Sequence, residues 1–315
     1  MKESDFFLKF LANEIKKTND GITVNMITLN ETLLGSNLTN LKTLTVEEGK
    51  TLTLTEGETY ILKKPLIVNG TLIIKKGVTI YAKPTSDWEF KDIVYILVNS
   101  GGIINAKGTK DMPITLMSEP NRPMTFEDDE HDEDVYNSDD DDDIISGSGS
   151  WGGLIIVGKS GVYDDPGDDD VWKLQEVIYP FRNTGSINSD IGGFPNIKFG
   201  GESGTTNENI LDYLVIKHTG TFINQIGYGL RTSSGLTLLG VGNKTTISNI
   251  FFNEINNTSA ITIYGGNVNL TNMYFYTVGN WIRADDWTGN LDTINGMISQ
   301  YSSNISKILI TENGF

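Results

Sequence analysis

The sequence predicts an all-β protein, a right-handed parallel β-helix solenoid built from one chain, with a short N-terminal α-helix and acidic loop insertions. Two observations lead to this prediction. Short alternating segments recur every 23 to 24 residues in the C-terminal third, and glycine or asparagine separates such segments along most of the chain. A period of this length, made of strands rather than helices, is typical of coils that stack and pair their backbones.

The first 44 residues are predicted to form an N-terminal amphipathic helix and a capping segment. Ser4 or Asp5 can cap the helix and Gly21 ends it. Its apolar side is formed by Phe6, Phe7, Phe10, Leu11 and Ile15. Two interpretations stay open: the helix packs on the domain, or it is a docking arm for a partner.

The solenoid is predicted to run from residue 45 to residue 315. Three similar segments, "TISNIFF", "NLTNMYF" and "TINGMIS", align Ile247, Leu270 and Ile294. The same alignment places Asn249, Asn272 and Gly296 at equivalent corners. We expect these corners to tolerate left-handed backbone geometry and the two asparagines to form a short side-chain ladder.

Two insertions interrupt the predicted coils, at about residues 119–150 and 161–208, and they contain the excess negative charge. The chain has 315 residues and a net charge of −17. Twelve acidic residues lie within 127–143 and five within 164–170, which leaves the rest of the chain balanced. Such a surface repels nucleic acid, so no nucleic-acid partner is expected. No apolar run has the roughly 20 residues of a membrane span.

The ordered phrases "GTKDMPITLMSE", "GSWGGLIIVGKS", "LDYLVIKHTG", "AITIYGGNVNLTNMYFYTVG" and "WIRADDWTGN" resemble a family of pectate-lyase-like surface proteins. These right-handed parallel β-helices are common in Bacteroidetes-type bacteria, and related solenoids occur in virion proteins. The resemblance covers roughly residues 60 to 300. It implies a solenoid that is exported or virion-borne, in most cases without an established activity.

The best candidate for catalysis is the "RADDW" segment with Arg283, Asp285 and Asp286. Carboxylates beside tryptophans suit a sugar substrate, but a turn with a salt-bridged arginine explains the same residues. His218 is interpreted as a corner residue rather than a base. No Ser-His-Asp or HExxH grouping can be assembled from the sequence, and no catalytic residue is assigned.

Calcium is the one candidate cofactor, because Ca²⁺ takes six to eight oxygen ligands and the acidic insertions offer many. The favoured ligands are Asp164, Asp165, Asp168, Asp169 and Asp170. A weaker set is Asp139, Asp140, Asp141, Asp142 and Asp143. The alternative for both sets is a solvated acidic loop without metal.

The sequence therefore favours a non-catalytic structural or attachment protein on a virion or on the extracellular surface. Charges at Lys9, Glu14 and Lys16 interrupt any signal-peptide core, so no signal peptide is expected in this chain. The expected partners are other copies, other structural subunits, or glycans. The alternatives are a secreted polysaccharide lyase or hydrolase, and a Ca²⁺-dependent glycan-binding module.

Overall fold

The structure, a computed structural model, describes part of the chain in detail. The described residues are 26–30, 32–34, 43–84, 93–118, 150–161, 163–164, 173–174, 176–179, 197–200, 208–224, 231–297 and 308–311. The predicted N-terminal helix lies outside them. Over these ranges the chain forms strands and turns, and none of it is a helix with the length and apolar character to cross a bilayer.

Twenty-three strands are defined within the described residues. In chain order they are β1 (Met26–Leu29), β2 (Leu44–Val46), β3 (Thr51–Leu54), β4 (Thr59–Leu62), β5 (Leu66–Val68), β6 (Thr71–Ile74), β7 (Thr79–Ala82), β8 (Ile96–Val98), β9 (Ile103–Lys107), β10 (Ile114–Ser118), β11 (Leu154–Val157), β12 (Tyr163–Asp164), β13 (Lys173–Leu174), β14 (Glu176–Tyr179), β15 (Ile197–Gly200), β16 (Ile210–Lys217), β17 (Phe222–Asn224), β18 (Arg231–Thr232), β19 (Leu236–Leu239), β20 (Thr246–Tyr264), β21 (Asn269–Asp285), β22 (Leu291–Met297) and β23 (Ile308–Thr311).

Seventeen of these strands form one parallel sheet that winds into a column with three faces. Face A stacks β1, β4, β7 and β10, face B stacks β2, β5, β8, β11 and β19, and face C stacks β3, β6 and β9. The longer strands β16 and β20 to β22 turn corners and join the faces. Each coil thus contributes three strands, and the predicted right-handed parallel β-helix is confirmed.

The core is a set of aliphatic columns that run along the axis, because successive side chains of a strand point to opposite sides. On face B, in-register pairing places one inward residue of each coil above the next. This column consists of Leu66, Ile96, Leu154, Leu236, Ile261 and Ile282, all with 0% exposure. Alternating polar and apolar residues in the sequence therefore become the outside and the inside of the column.

The corner between faces C and A takes a left-handed backbone residue in successive coils. Asn249 and Asn272 have φ values of 54° and 56°. Asn272 Nδ2 donates to Asn249 Oδ1 at 3.0 Å, and Asn249 Nδ2 donates to Asp212 Oδ1 at 2.8 Å. The predicted asparagine ladder is therefore present. It continues to the carboxylate of Asp212, which the sequence did not indicate.

The third copy of the repeat is in a different register from the predicted one. Leu270 pairs with Leu291, and Met273 pairs with Ile294. The corner residue is therefore Thr293, with φ 58°, and the prediction that Gly296 occupies it is wrong. In each copy, two apolar residues three positions apart lie on either side of the corner. The sequence alignment took Ile294 as the first of these two residues, but in the structure it is the second, after Leu291.

An aromatic stack closes the C-terminal part of the core on face A. The rings of Phe252 and Phe275 lie 5.4 Å apart with an interplanar angle of 10°. The ring of Trp281 stacks on Phe275 at 5.2 Å and 5°. Gly296 is the residue paired with Phe275 in the next coil.

Three pairs of antiparallel strands lie outside the main sheet. They are β12 with β13, β14 with β15, and β17 with β18. The first two fall in the predicted insertion at 161–208, whereas the third was not predicted. The β14–β15 pair matters most for the surface, because Ile197 and Phe199 of β15 pack on the outer side of face B.

Candidate functional site

The predicted catalytic residues Arg283 and Asp285 lie on the outer side of face B, at the end of β21. Arg283 Nε lies 3.3 Å from Asp285 Oδ2, and the Asp285 side chain is 4% exposed. The guanidinium carbon of Arg283 lies 5.9 Å from the ring centre of Tyr264 in the preceding coil. The Asp285 side chain is thus almost completely buried and forms an ion pair with Arg283.

Asp286 follows at a left-handed corner with φ 54°. Burial raises the pKa of its carboxyl, and the negative charge of Asp285 raises it further. The neighbouring tryptophans serve packing: Trp287 Nε1 donates to the carbonyl of Val268 at 2.8 Å, and Trp281 stacks on Phe275. A salt-bridged turn is therefore the observed arrangement, and a catalytic role of these acids stays a prediction.

A polar relay that the sequence analysis missed lies at the end of face A. Ser118, His218 and Glu254 follow one another along the axis in stacked coils. Ser118 Oγ lies 3.2 Å from His218 Nδ1, and His218 Nε2 lies 2.8 Å from Glu254 Oε2. An ionised carboxylate only accepts hydrogen bonds, so His218 Nε2 donates to Glu254.

The carboxylate of Glu254 is the charged centre of this relay. Lys217 Nζ lies 3.6 Å from Glu254 Oε1, and Asn253 Nδ2 donates to the same oxygen at 2.6 Å. Burial alone raises the pKa of Glu254, but the hydrogen bond from His218, the charges of Lys217 and His218, and the Asn253 hydrogen bond outweigh it. The pKa of Glu254 therefore lies below its ordinary value.

The relay has the composition of a nucleophilic triad but not its access to substrate. Ser118 has 0% exposure, so no substrate reaches its hydroxyl in this structure. The same corner instead binds the segment that returns to the column after the first insertion. The backbone N–H of Ser150 donates to the His218 carbonyl at 3.1 Å, and Trp151 Nε1 donates to the Lys217 carbonyl at 2.8 Å. The relay thus anchors both ends of the first insertion.

The structure places one of the predicted calcium ligands. Asp164 lies in β12, where its backbone pairs with Lys173. Asp165, Asp168, Asp169 and Asp170 lie outside the described residues, as do Asp139, Asp140, Asp141, Asp142 and Asp143. The part of the chain that the structure describes has no grouping of three or more acidic or histidine side chains suited to a metal. Calcium binding stays a prediction.

The outer side of face B also contains a cleft with a volume of about 710 Å³. Its floor comes from outward side chains of β5, β8 and β11, in three successive coils, and β15 forms one wall. The lining residues are Thr43, Glu48, Ile67, Asn69, Tyr95, Leu97, Asn99, Ser100, Gly101, Val157, Ile197 and Lys198. The volume lies within the range of about 300–1,000 Å³ found for small-molecule sites.

Two of the polar residues that line the cleft are carboxamides bonded to each other. Asn99 Nδ2 donates to Asn69 Oδ1 at 2.6 Å. The next residue in the same outward column is Val157, because Val98 pairs with Ile156. A valine side chain neither donates nor accepts a hydrogen bond, so the amide pair ends at an apolar surface. Sequence analysis missed this site, because its walls are brought together only by the register of the coils and by the fold-back of β15.

Comparison with protein families shows where the chain belongs. Residues 45–127 and 141–307 match the pectate-lyase-like β-helix domain, so the chain is a member of this family. The match omits residues 128–140, inside the most acidic segment of the sequence. Comparisons with curated proteins and with solved structures gave no match. The family match establishes a β-helix protein and leaves its particular role to be proposed.

Proposed function

We propose that this protein is a non-catalytic structural or attachment protein, a rigid β-helix assembled on a virion or cell exterior. The observation that carries the proposal is the preformed cleft on face B, whose floor is supported by three coils of a continuously packed column. A surface of this kind offers a partner a fixed shape without a rearrangement of the backbone, which lowers the entropic cost of binding. The edges of a stacked sheet also favour assembly with further copies unless they are covered.

Electron microscopy of the native source with a labelled antibody tests this function. We expect the label in regular arrays on the outside of particles or cells. Label that is found instead on free single chains in the medium contradicts assembly on an exterior surface.

A second candidate is a secreted carbohydrate-active enzyme that uses Asp285 and Asp286. The observation in its favour is the raised pKa of Asp286 beside a second carboxylate, since a general acid needs a carboxyl that keeps its proton. Against it, Arg283 neutralises Asp285 in an ion pair. The attachment function therefore agrees better with the geometry.

The double substitution Asp285→Asn and Asp286→Asn decides between these candidates. On the attachment proposal, neither the wild-type chain nor the variant releases reducing ends from neutral or acidic polysaccharides. Arg283→Gln is the matched control, because it removes the ion pair and leaves both carboxylates. Turnover in the wild type that disappears in the double variant, at an unchanged melting temperature, contradicts the attachment proposal.

Calcium dependence is a separate prediction. If the aspartates at 164–170 bind Ca²⁺ in the folded chain alone, millimolar Ca²⁺ raises the melting temperature relative to chelator, since a ligand of the native state stabilises it. The control is Mg²⁺ at the same concentration, which demands a stricter geometry. Equal melting temperatures in Ca²⁺, Mg²⁺ and chelator contradict the calcium site.

A further inference from the structure

We propose that the N-terminal segment of the chain folds back over the N-terminal end of the column and blocks association of copies through that end. The surface that it covers is the end patch, formed by Met26, Ile27 and Leu33. This patch is separate from the cleft on face B, so the inference goes beyond the attachment function. The segment is residues 4–15, whose apolar side consists of Phe6, Phe7, Phe10, Leu11 and Ile15.

The end patch contains most of the large apolar side chains that are exposed within the described residues. Four such side chains are at least 36% exposed, and three of them belong to the patch: Met26 at 50%, Leu33 at 45% and Ile27 at 38%. The fourth, Ile103, lies on the outer side of face C. A single exposed apolar residue is common on protein surfaces, but a cluster marks an interaction surface.

Ile27 occupies a core position at the point where the core ends. It begins the inward column of face A, which continues in the next coils through Tyr60, Ile80, Leu116 and Ile216. Those four side chains are 0% to 3% exposed, whereas Ile27 is 38% exposed. An element that covers Ile27 therefore removes apolar surface from water, as a further coil does elsewhere in the column.

The turn after β1 covers only part of this end. Leu33 N–H donates to Asn30 Oδ1 at 2.9 Å, which fixes the turn. Leu34 packs against the core, but the neighbouring Leu33 is exposed. Among the described strands, β1 pairs with β4 alone, so its other edge is open as well. An open edge is a template for pairing with another chain unless something covers it.

The position and length of the preceding chain favour the N-terminal segment as the cover. Residues 16–25 join the segment to Met26 at the patch itself. Ten extended residues reach about 35 Å, whereas the four residues of β1 span about 13 Å, so the segment can return over the patch. Such a tether gives an effective concentration in the millimolar range, which exceeds a micromolar concentration of other copies in solution.

Charge disfavours a second copy that docks through the same end. The first complete coil, residues 43–62, carries four glutamates and one lysine, namely Glu47, Glu48, Glu56, Glu58 and Lys50. Two copies that meet through this end bring the same excess of negative charge together, and these charges repel. Residues 1–20 carry four basic and four acidic side chains, so the N-terminal segment has no net charge to oppose its docking.

Chemical crosslinking tests where the segment lies. The chain contains no cysteine, so two introduced cysteines give one defined crosslink. In Phe10→Cys with Leu33→Cys, treated with a short bismaleimide, we expect a crosslink within one chain. The matched control is Phe10→Cys with Ile103→Cys, at an exposed residue away from the end. The yield at Leu33 is expected to be at least about tenfold higher, since burial of one remaining phenylalanine contributes more than the roughly 1.4 kcal/mol that a tenfold preference requires.

A second pair of variants tests whether the segment blocks association. Phe7→Ser with Phe10→Ser weakens its apolar side. Lys9→Ser with Lys16→Ser, on the opposite side of the predicted helix, is the control. In sedimentation experiments we expect stronger concentration-dependent association of the phenylalanine variant alone. Adding Leu33→Lys to that variant is expected to reverse the change, because a charge in the patch opposes its contact with another chain.

Three results overturn the proposal: equal crosslinking at Leu33 and Ile103, crosslinks only between chains, or equal association of the two segment variants. Crosslinks between chains identify a second copy as the occupant of the patch. None of these measurements depends on where microscopy locates the protein, so this proposal and the attachment function fail separately.

Discussion

Replacing Phe275 with alanine is expected to lower the free energy of unfolding by about 3–5 kcal/mol, the range for large aromatic side chains removed from a core. Phe275 is 1% exposed, and its ring is stacked between Phe252 and Trp281. Neighbouring coils have fixed spacing, so they cannot collapse around the cavity without breaking backbone hydrogen bonds. Chemical denaturation monitored by circular dichroism measures the change.

Ile103→Ala is the matched control for this substitution. Ile103 is a large apolar residue of the same solenoid, but it lies on the outside and is 36% exposed. We expect a loss below about 1 kcal/mol for it. A double-mutant cycle with Trp281→Ala is expected to show coupling of about 0.5–1.5 kcal/mol between the stacked rings. Losses of equal size for Phe275→Ala and Ile103→Ala contradict the role of the aromatic stack.

Glu254→Gln is expected to destabilise the protein at pH 7 by about 2 kcal/mol, because hydrogen bonds to a charged group are stronger than neutral ones. Glutamine keeps the size of the side chain but removes the negative charge that lies 3.6 Å from Lys217 Nζ. The Glu254 side chain is 26% exposed, so solvent screens part of the interaction and the loss is smaller than for a fully buried pair.

The same variant has a defined pH dependence. The folded-state pKa of Glu254 lies below its ordinary value of 4.5, so its stabilisation is fully present above pH 4.5 and is lost as the pH falls through the folded-state pKa. We expect the difference in melting temperature between wild type and Glu254→Gln to decrease as the pH falls below 4.5. Glu58→Gln, at an exposed residue, serves as the control. A difference that persists unchanged at low pH argues against an ionised Glu254 in the relay.

Much of the column was predictable from local patterns. The alternation of polar and apolar residues fixes which side of a strand faces inward. Asn249 and Asn272 indicated a left-handed corner, because asparagine tolerates this backbone geometry. The register of the third copy was not predictable. Two pairs of residues match the apolar pair that spans a corner, namely Leu291 with Ile294 and Ile294 with Met297. The local sequence does not choose between them.

The candidate sites depend on distant residues and were therefore mostly missed. Ser118 lies 100 residues before His218, and two insertions intervene, so the sequence gives no sign that they stack. The ion pair of Arg283 with Asp285 was accessible, because the two residues are neighbours on one side of a single strand. Asn69 and Asn99 lie 30 residues apart, although coils elsewhere repeat in 20, as from Thr59 to Thr79. Only the three-dimensional register brings them together.

The regular pairing of the coils also fixes how the length of the protein depends on the number of coils. Each coil adds about 4.8 Å along the axis, so the evolutionary gain or loss of a complete coil changes the length of the column in discrete steps. Because each coil contacts only the coils directly above and below it, such changes leave the remaining coils intact. Evolution can therefore adjust the distance between the two ends of the column independently of the side chains displayed on its faces.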